Sequence, residues 1–277
     1  MTSVFQCPIC QQPLKPYLTT RDLHCGQHHK FAYNEAGYWV FAKSKKEKGT
    51  SLSRAQMRSR MFLLASGMLT PIVTQIKPLV TAHFSKDHTY QWLDYECGDG
   101  FYLGAIVDSL KDSGLTLQPH GFSEAENALF VAAKNLSDIS LCQSSTKRLP
   151  YADEAFDLLT LIDKPLKGKE FLRVLKQDGI ALMVVVGPRH LWQIREQLYP
   201  NLVAKEFSLD LPASLTVLAS EAIQWQADVS GEQALTLLDM TPYAWRANDK
   251  QRQAIAHQAI SGLEFDYRLV IAKKVSA

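Results

Sequence analysis

The stretch QWLDYECGDGFYLGAIVDSL, residues 91–110, combines an apolar run, a turn with two glycines and an amphipathic segment. Its hydrophobic periodicity predicts a β-strand at about Tyr90–Leu93 and an α-helix at about Tyr102–Lys111. Gly98 and Gly100 lie between them, where glycine lets the backbone approach a ligand closely. The start of the helix offers free N–H groups to the same ligand. The stretch therefore predicts a strand–turn–helix unit with a nucleotide-type site at its turn.

The same alternation of strands and helices continues along the chain. Further strands are predicted at residues 117–123, 138–144, 156–162 and 180–186, and helices at residues 124–135 and 168–176. The second helix is expected to end at the QDG triplet, residues 177–179. Two more strands, at residues 214–225 and 265–275, flank a helical insertion at residues 231–240 and indicate an antiparallel hairpin at the sheet edge. This pattern predicts an α/β fold with a parallel sheet covered on both faces.

The N-terminal third has a different character. Residues 43–60 are polar and basic, and they predict a linker that leads into a helix at about Arg54–Ala65, with Ser51 or Ser53 as its N-cap. A second helix is predicted from Pro71 to about His83. We therefore divide the chain into three parts: the head (residues 1–42), a basic linker with two helices (residues 43–84) and the body (residues 85–277).

Charge is divided unevenly between these parts. Residues 1–60 hold ten Lys or Arg residues against three acidic ones, a net charge of +7, and the remainder holds twenty against twenty-five, a net charge of −5. A basic N-terminal segment joined to an acidic remainder indicates that this segment binds a polyanion. The alternative is a solvated basic linker without a partner.

No membrane association is expected from the apolar segments. The longest of them, which starts at Ile180, is far shorter than the roughly 20 residues that span a bilayer. The first residues, MTSVFQCPIC, have no charged region followed by an apolar one, so no secretory signal is predicted. The expected location is cytoplasmic.

Three of the five cysteines lie within the first 25 residues. The zinc ligands that this spacing predicts are Cys7, Cys10, Cys25 and His29, with His24 and His28 as rivals for the fourth position. A head of about 35 residues has too small a core to fold without a structural metal, and a reducing compartment disfavours a disulfide. A closed Cys3His site is structural, so the zinc ion (Zn²⁺) should shape a surface and not catalyse.

The turn after the first strand narrows the choice of cofactor. It lacks the full G-x-G-x-x-G of a dinucleotide site, and the Lys-Ser/Thr of a phosphate loop is also missing. A site for S-adenosyl-L-methionine is the better interpretation. Asp94, at the end of the strand, can orient the turn by hydrogen bonding.

The whole chain resembles the large-subunit (23S) ribosomal RNA guanine-N1 methyltransferases (RlmA type). The resemblance is carried by the CPxC…C-x3-H head, LDYECGDGFY at 93–102, RLPYADEAFD at 148–157, GPRHL at 187–191 and MTPYAWRA at 240–247. It implies a Rossmann-like class I methyltransferase domain that binds S-adenosylmethionine, preceded by a zinc-ribbon-like RNA-recognition head. The implied reaction is methyl transfer to guanine N1 in a hairpin of 23S ribosomal RNA.

The resemblance also assigns site residues. The zinc ligands fall on Cys7, Cys10, Cys25 and His29. The cofactor contacts fall on Gly98, Asp99 and His190, and on Leu69, which matches a tyrosine of the family. With Asp94 and Gly100, these residues make up the predicted cofactor site.

Two further positions depart from the family pattern. Glu96 takes the place of the first turn glycine, where its side chain would crowd the methionine moiety of the cofactor and its charge would oppose the cofactor carboxylate. Ser123 replaces the acidic residue that would accept the ribose hydroxyls, and the adjacent Glu124 should point elsewhere because strand side chains alternate. Each lost polar contact would cost about 1–3 kcal/mol, so weakened cofactor binding is expected.

The implied chemistry needs an unpaired base and a proton acceptor. Guanine N1 lies on the Watson–Crick edge, so the base must be unpaired or flipped, and its N1 proton must leave as the methyl group arrives. In IDKPLK, after the fourth strand, Asp163 is the candidate general base and Lys164 a phosphate or base contact. Alternatively, Asp163 only caps the following helix.

RNA contacts are predicted mainly in the basic head and linker. The residues expected to bind RNA phosphates are Lys43, Lys45, Lys46, Lys48, Arg54, Arg58 and Arg60. Tyr38 and Trp39 either stack on splayed bases or pack the head against the body, and their strand-like context favours packing. Tyr243 and Trp245 either line the target pocket or belong to the core.

Three functions are compatible with the sequence. The first is a 23S rRNA guanine-N1 methyltransferase, and the second is a catalytically weakened or inactive homologue that binds RNA. The third is a methyltransferase of a small molecule, which leaves the basic head unexplained. A homodimer is left open by the sequence.

Overall fold

The secondary structure follows the predicted alternation closely. The computed structural model describes residues 4–17, 19–42, 53–166 and 168–275, apart from the side chain of Arg54. Its first strands are β1 (Lys15–Pro16), β2 (Leu23–His24), β3 (Lys30–Phe31) and β4 (Trp39–Val40). Those that follow are β5 (Thr89–Asp94), β6 (Thr116–Ser123), β7 (Ser140–Gln143), β8 (Phe156–Ile162), β9 (Leu175–Val186), β10 (Leu215–Val229) and β11 (Ile260–Lys274). The helices are α1 (Arg54–Ala65), α2 (Thr70–His83), α3 (Phe101–Leu110), α4 (Glu126–Asn135), α5 (Glu170–Val174), α6 (Trp192–Glu196), α7 (Gly231–Asp239) and α8 (Asp249–His257).

Strand order identifies the ligand-binding edge of the central sheet. Among the described residues this sheet has eight strands in the order β10-β11-β9-β8-β5-β6-β7-β4. Strands β5 to β9 are parallel, and β11 runs antiparallel between β9 and β10. The chain moves outward from β5 to β7 and then returns to β8 on the other side of β5. Ligands of open α/β sheets bind at such a switch point, outside the carboxyl ends of the strands.

Both faces of the sheet are buried, but different parts of the chain cover them. Along β5, Trp92 belongs to one apolar cluster and its neighbour Leu93 to another, because successive strand residues face opposite sides. The Trp92 cluster contains residues of α1 to α4 and of α6 to α8. The Leu93 cluster contains residues of α5 and of the N-terminal head, including Phe5 and Phe31. The head therefore completes the hydrophobic core on one face of the sheet.

Aromatic stacking attaches the head to that face. The Phe5 ring stacks on Tyr151, with centroids 5.2 Å apart, and lies 5.1 Å from the Trp39 ring. Tyr38 is 3% exposed in the Trp92 cluster on the other face, and β4 pairs in parallel with β7 at the sheet edge. Packing, the favoured interpretation of Tyr38 and Trp39, is thus what the structure contains. The division at residues 42 and 84 stays a prediction, since head and body share one core.

Local capping explains where the helices before the sheet begin. The Ser53 hydroxyl accepts a hydrogen bond from the backbone N–H of Gln56, and the Gln56 side chain accepts one from the Ser53 N–H. This capping box starts α1 as predicted, and Pro71 lies in the first turn of α2.

No single described helix is long and apolar enough to cross a membrane. Residues Ala55–Ala65 and Thr70–His83 meet that test only as a pair, across a 64° bend.

The predicted end of the helix before β9 is wrong. This helix, α5, ends at Val174, and β9 already begins at Leu175. The register against β8 shifts between the pairs Phe156–Leu175 and Leu158–Ile180, so the intervening residues form a bulge. Asp178 in this bulge has a φ of +63°. The QDG triplet thus lies inside a strand and does not form a helix C-terminus.

Candidate active site and metal centre

The turn between β5 and α3 has the backbone of a glycine-rich loop. Gly98 and Gly100 have φ values of +58° and +74°. A Cβ atom added at Gly100 would lie 2.5 Å from Leu136 Cδ1, so this glycine is needed for the packing of α3 on α4. A Cβ atom added at Gly98 would meet no atom within 4 Å. The turn is therefore tightly packed on one side and open to a ligand at Gly98.

Glu96 has a backbone conformation that favours glycine. Its φ is +59°, in the left-handed region that non-glycine residues rarely adopt, at a cost of about 1–3 kcal/mol. The residue is half-buried. Burial first, and the Glu96 charge second, raise the pKa of the neighbouring Tyr95. The turn geometry thus tolerates a carboxylate at this position, which brings a negative charge to the cofactor turn.

A chain of hydrogen bonds holds Asp94 at the carboxyl end of β5. Trp92 Nε1 donates to Thr160 Oγ1 at 3.0 Å, and Thr160 Oγ1 donates to Asp94 Oδ1 at 2.7 Å. Burial raises the pKa of Asp94 to about 7, against the hydrogen bond from Thr160 and the charge of Lys164. Asp94 is thus anchored to the neighbouring strand β8 below the turn.

Two polar residues, Ser123 and Glu124, lie at the end of β6, and the Glu124 side chain is directed elsewhere, as the sequence predicted. Ser123 is buried, and its hydroxyl accepts a hydrogen bond from the Ala125 N–H at 3.1 Å. The Glu124 carboxylate accepts hydrogen bonds from Thr146 N and Oγ1 at 2.7 and 3.1 Å. The acidic side chain after this strand is therefore engaged with the loop after β7.

Asp99 in the turn is paired with a residue of α1. Arg60 Nε lies 2.7 Å from Asp99 Oδ2, and the two side chains are 19% and 3% exposed. Arg60 was predicted to bind RNA phosphate, but the structure directs it inward, to the predicted cofactor turn. This contact ties α1 across the carboxyl edge of the sheet.

Asp163 lies directly after β8, beside the switch point. Its N–H donates to Val184 O at 2.8 Å, and its φ is +51°. Burial raises the pKa of this half-buried carboxyl to about 6, against the charges of Lys164 and Arg60. The pKa of Tyr102 is raised by burial first and by the Asp163 charge second, and the same is true of Tyr267. Asp163 therefore shares its surroundings with two tyrosines and with Arg60.

His190 follows β9 in the GPRHL loop and is 2% exposed. The Asp266 N–H lies 3.4 Å from its Nδ1 atom, and its ring centroid is 4.4 Å from that of Tyr267. Burial, and then the charge of Arg195, lower the pKa of His190 to about 3. The imidazole is therefore neutral at physiological pH.

Asp266 is a buried residue of this edge that the sequence analysis missed. Its carboxylate accepts hydrogen bonds from Arg189 N and Gln224 Nε2, both at 2.9 Å. A Cβ atom added at Gly187 would lie 2.3 Å from its Cγ atom, so the glycine is needed for this contact. The available signal was an acidic residue within the apolar strand FDYRLV. Asp266 holds the GPRHL loop, and with it His190, against β11.

The remaining predicted site residues differ in burial, and some lie outside the described part of the chain. Leu69 is 1% exposed in the larger apolar cluster, and its contact with a cofactor stays a prediction. Arg58 is exposed on α1. Residues outside the described part of the chain are Lys43, Lys45, Lys46 and Lys48, together with the Arg54 side chain.

The head brings four potential metal ligands together. The ligand atoms of Cys7, Cys10, Cys25 and His29 all lie within 4.8 Å of one another. Cys10 Sγ is 3.5 Å from Cys25 Sγ, and His29 Nδ1 is 3.6 Å from Cys7 Sγ and 3.4 Å from Cys25 Sγ. Tetrahedral zinc requires S–S and S–N separations of about 3.8 and 3.6 Å, which these distances approach. The donor set and its geometry thus fit a zinc ion.

The two rival histidines have other surroundings. The His24 ring packs on Tyr17, with centroids 4.2 Å apart. His28 has a φ of +63° in the turn between Cys25 and His29. Among the residues that the structure describes, the cluster takes His29 as its fourth member.

Comparison with known proteins relates this architecture to one group of enzymes. The chain matches no protein-family model. It is 24% identical over 278 residues to "Putative 23S rRNA (guanine-N(1)-)-methyltransferase YxjB" of Bacillus subtilis (strain 168), with 98% of both chains covered. It is 25% identical over 262 residues to "Putative 23S rRNA (guanine-N(1)-)-methyltransferase" of Micromonospora griseorubida, with 88% of this chain and 87% of that protein covered. The chain is a divergent homologue of these proteins.

Solved structures resemble the chain more distantly. The YcgJ protein of Bacillus subtilis covers 72% of this chain and 98% of its own, at 18% identity and a TM-score of 0.45. A "putative methyltransferase" of Bacillus halodurans C-125 covers 74% and 97%, at 14% identity and a TM-score of 0.46. The strand order itself agrees with the Rossmann-like class I methyltransferase fold expected from the sequence, including the antiparallel hairpin at the edge.

The Arg60–Asp99 pair generates a stability prediction. Arg60→Ala should lower the free energy of unfolding by about 3–5 kcal/mol, because it leaves the Asp99 carboxylate buried without its partner. Arg58→Ala, two residues away on the exposed side of α1, should change it by about 0.5 kcal/mol or less. Urea denaturation measures both, and a double variant Arg60→Met/Asp99→Leu should recover most of the loss. Equal midpoints for Arg58→Ala and Arg60→Ala would show that the pair contributes nothing.

Proposed function

We propose that this protein is an S-adenosylmethionine-dependent methyltransferase that acts on guanine N1 of large-subunit (23S) ribosomal RNA. The observation that carries the proposal is the similarity along 98% of the chain to a protein that bears this name. The glycine turn at the β5–β8 switch point supports it, because cofactors of open α/β sheets bind at such points. This substrate is consistent with the expected cytoplasmic location.

The residues proposed to hold the cofactor surround the carboxyl end of β5. They are Asp94, Gly98, Asp99 and Gly100 in and before the turn, His190 in the GPRHL loop, and Leu69. The open side of Gly98 supports this assignment, because a backbone without Cβ accepts a ligand there. When bound, S-adenosylmethionine supplies an electrophilic methyl group. His190, whose pKa is lowered to about 3, would contact it as a neutral ring.

We assign the proton of guanine N1 to Asp163. Methylation at N1 releases this proton, and a carboxylate beside the switch point is suited to accept it. With a pKa of about 6, Asp163 is about nine-tenths ionised at pH 7 and still more basic than an ordinary aspartate. The neighbouring Tyr102 and Tyr267 stay protonated, so they can donate hydrogen bonds to a bound base. Positioning of the base by these groups contributes as well as proton transfer.

The head is proposed to bind one structural zinc ion through Cys7, Cys10, Cys25 and His29. Its role follows from the shared core, since Phe5 and Phe31 cover the same sheet face as Leu93. The ion would hold this cover in place and shape the surface that meets RNA. Arg58 and the basic linker residues stay proposed phosphate contacts.

A second candidate is an RNA-binding homologue that methylates weakly or not at all. Three observations favour it: Glu96 brings a carboxylate to the turn, Ser123 offers no carboxylate to a ribose, and Arg60 already engages Asp99. Each of these would reduce cofactor affinity. The two candidates differ in how tightly the cofactor binds and in whether its methyl group is transferred.

Calorimetry and methyl incorporation distinguish these candidates. The wild-type chain should bind S-adenosylmethionine and its demethylated product. Glu96→Gly should bind both more tightly, because it removes a side chain that crowds the methionine moiety and a charge that opposes the cofactor carboxylate. Radiolabelled methyl groups should then enter ribosomal RNA that lacks the modification. Reverse transcription should stop at the product, because N1-methylguanine cannot pair. Absence of binding at millimolar cofactor, with RNA binding retained, would leave the second candidate.

The pKa of Asp163 predicts how the rate of methyl transfer depends on pH. Only the ionised carboxylate accepts a proton, so the rate should fall about tenfold per pH unit below pH 6 and level off above it. Asp163→Asn should lower the rate by about 10²- to 10⁴-fold and abolish the acidic limb. Asp112→Asn, at an exposed position after α3, is the control. An unchanged limb in Asp163→Asn would assign proton transfer to another group.

The metal content of the head is a separate prediction. Elemental analysis should find about one equivalent of zinc in the wild-type chain and little in a Cys7→Ser/Cys10→Ser variant. His28→Asn should keep the zinc, because His28 lies outside the cluster and asparagine tolerates its positive φ. The double variant should also melt at a lower temperature, since the head covers one sheet face. An intact wild-type fold without metal would contradict the assignment.

A further inference from the structure

Arginines and aromatic rings alternate on a surface beside the predicted catalytic centre. We call it the arginine–aromatic surface, and it consists of Arg195, Tyr199, Tyr243, Trp245 and Arg246, with the buried Trp192 beneath Arg195. The Arg195 Cζ atom lies 5.8 Å from the Trp192 ring centroid and 5.3 Å from that of Tyr243. The Arg246 Cζ atom lies 5.3 Å from the Tyr199 centroid and 4.5 Å from that of Trp245. All four separations are within the range of cation–π attraction.

The end of this surface that is formed by Trp245 and Arg246 is exposed, although it contains a large aromatic ring. Trp245 is 77% exposed, although an indole gains much from burial. Arg246 is exposed as well, and no described carboxylate lies within 4 Å of it. A large ring and an uncompensated cation therefore face solvent together. This contrasts with Arg189 nearby, whose guanidinium is paired with Glu264.

The inner end reaches the predicted catalytic centre. Arg195 donates from Nη1 to Pro188 O at 2.7 Å, and its buried Nε finds no partner among the described residues. Tyr243 is half-buried, and its pKa is raised by burial against the charge of Arg195, with a further increase from Asp163. The surface thus extends from Asp163 and the GPRHL loop outward to Trp245.

We propose that the arginine–aromatic surface binds unpaired nucleotides of the RNA substrate next to the target base. The exposed Trp245 ring provides a stacking platform for a splayed base, the half-buried Tyr199 and Tyr243 continue it inward, and the arginines beside these rings attract the phosphates. The positive charge stands out because residues 61–277 carry a net charge of −5. This inference rests on the proposed function in one respect, namely that RNA is the substrate.

Fluorescence anisotropy with a labelled, unstructured RNA dodecamer tests the proposal. Trp245→Ala should raise the Kd about 5- to 150-fold, which is the effect of losing one base-stacking platform. Arg246→Gln should also weaken binding, and it should reduce the slope of log K against log salt by about 0.7. The slope should stay unchanged in Trp245→Ala, because that variant removes no charge. A blunt RNA duplex should bind with little dependence on Trp245.

A matched control exists on the opposite part of the body. Phe130 on α4 is 44% exposed and carries Lys134 Nζ 4.5 Å from its ring centroid. Phe130→Ala should leave the Kd within about twofold of the wild-type value. Wild-type affinity in both Trp245→Ala and Arg246→Gln would overturn the proposal. So would a change in sedimentation of Trp245→Ala at unchanged RNA affinity, which would identify a protein–protein contact.

Cofactor calorimetry on the same samples separates this inference from the proposed function. If the wild-type chain fails to bind S-adenosylmethionine but loses RNA affinity in Trp245→Ala, the RNA surface stands and the methyltransferase does not. If it methylates RNA with an affinity independent of Trp245 and Arg246, the methyltransferase stands and the surface does not.

Discussion

A parallel sheet must be buried on both faces, and this requirement governs the arrangement of the chain. Helices α1 to α4 and α6 to α8 contribute to the apolar cluster on one face. The other face has only α5 among the described helices, and the head supplies the rest of its cover through Phe5, Leu14 and Phe31. A small segment with little core of its own is thereby joined to a large core. Two members of its Cys/His cluster, Cys7 and Cys25, belong to the same apolar cluster, which links the proposed metal to the integrity of this cover.

The carboxyl edge of the sheet gathers four aspartates whose partners differ. Asp94 accepts a hydrogen bond from Thr160, and Asp99 is paired with Arg60. Asp266 accepts hydrogen bonds from a loop N–H and from Gln224. Burial raises the pKa of Asp94 to about 7 and that of Asp163 to about 6. Asp94 is 3% exposed and bonded to Thr160, whereas Asp163 is only half-buried and lies beside two tyrosines. Accessibility thus distinguishes Asp163 as the carboxylate suited to the proposed proton transfer.

Charged residues of the predicted cofactor turn and of the body are placed differently from what the net charge of the segments indicated. Glu96 has a glycine-like φ of +59°, so a charged residue occupies a backbone position that favours glycine. Arg60, which belongs to the basic segment in sequence, neutralises Asp99 in the same turn. Exposed arginine and tryptophan instead occur far along the chain, at Trp245 and Arg246. Net charge by segment therefore predicted neither the inward contact of Arg60 nor the exposed Arg246.

The elements and the metal cluster could be predicted from the sequence because their signals are local. Strand β8 and helix α1 have the predicted bounds, and Ser53 caps α1, since periodicity and capping act over a few residues. The ligand spacing of the head likewise depends on two short turns. Contacts between distant segments were decided only by tertiary structure: Arg60 and Asp99 are 39 residues apart, and His190 and Asp266 are 76 apart. The bulge in β9, the face covered by the head and the arginine–aromatic surface share this origin, because each depends on which surfaces meet when the chain folds.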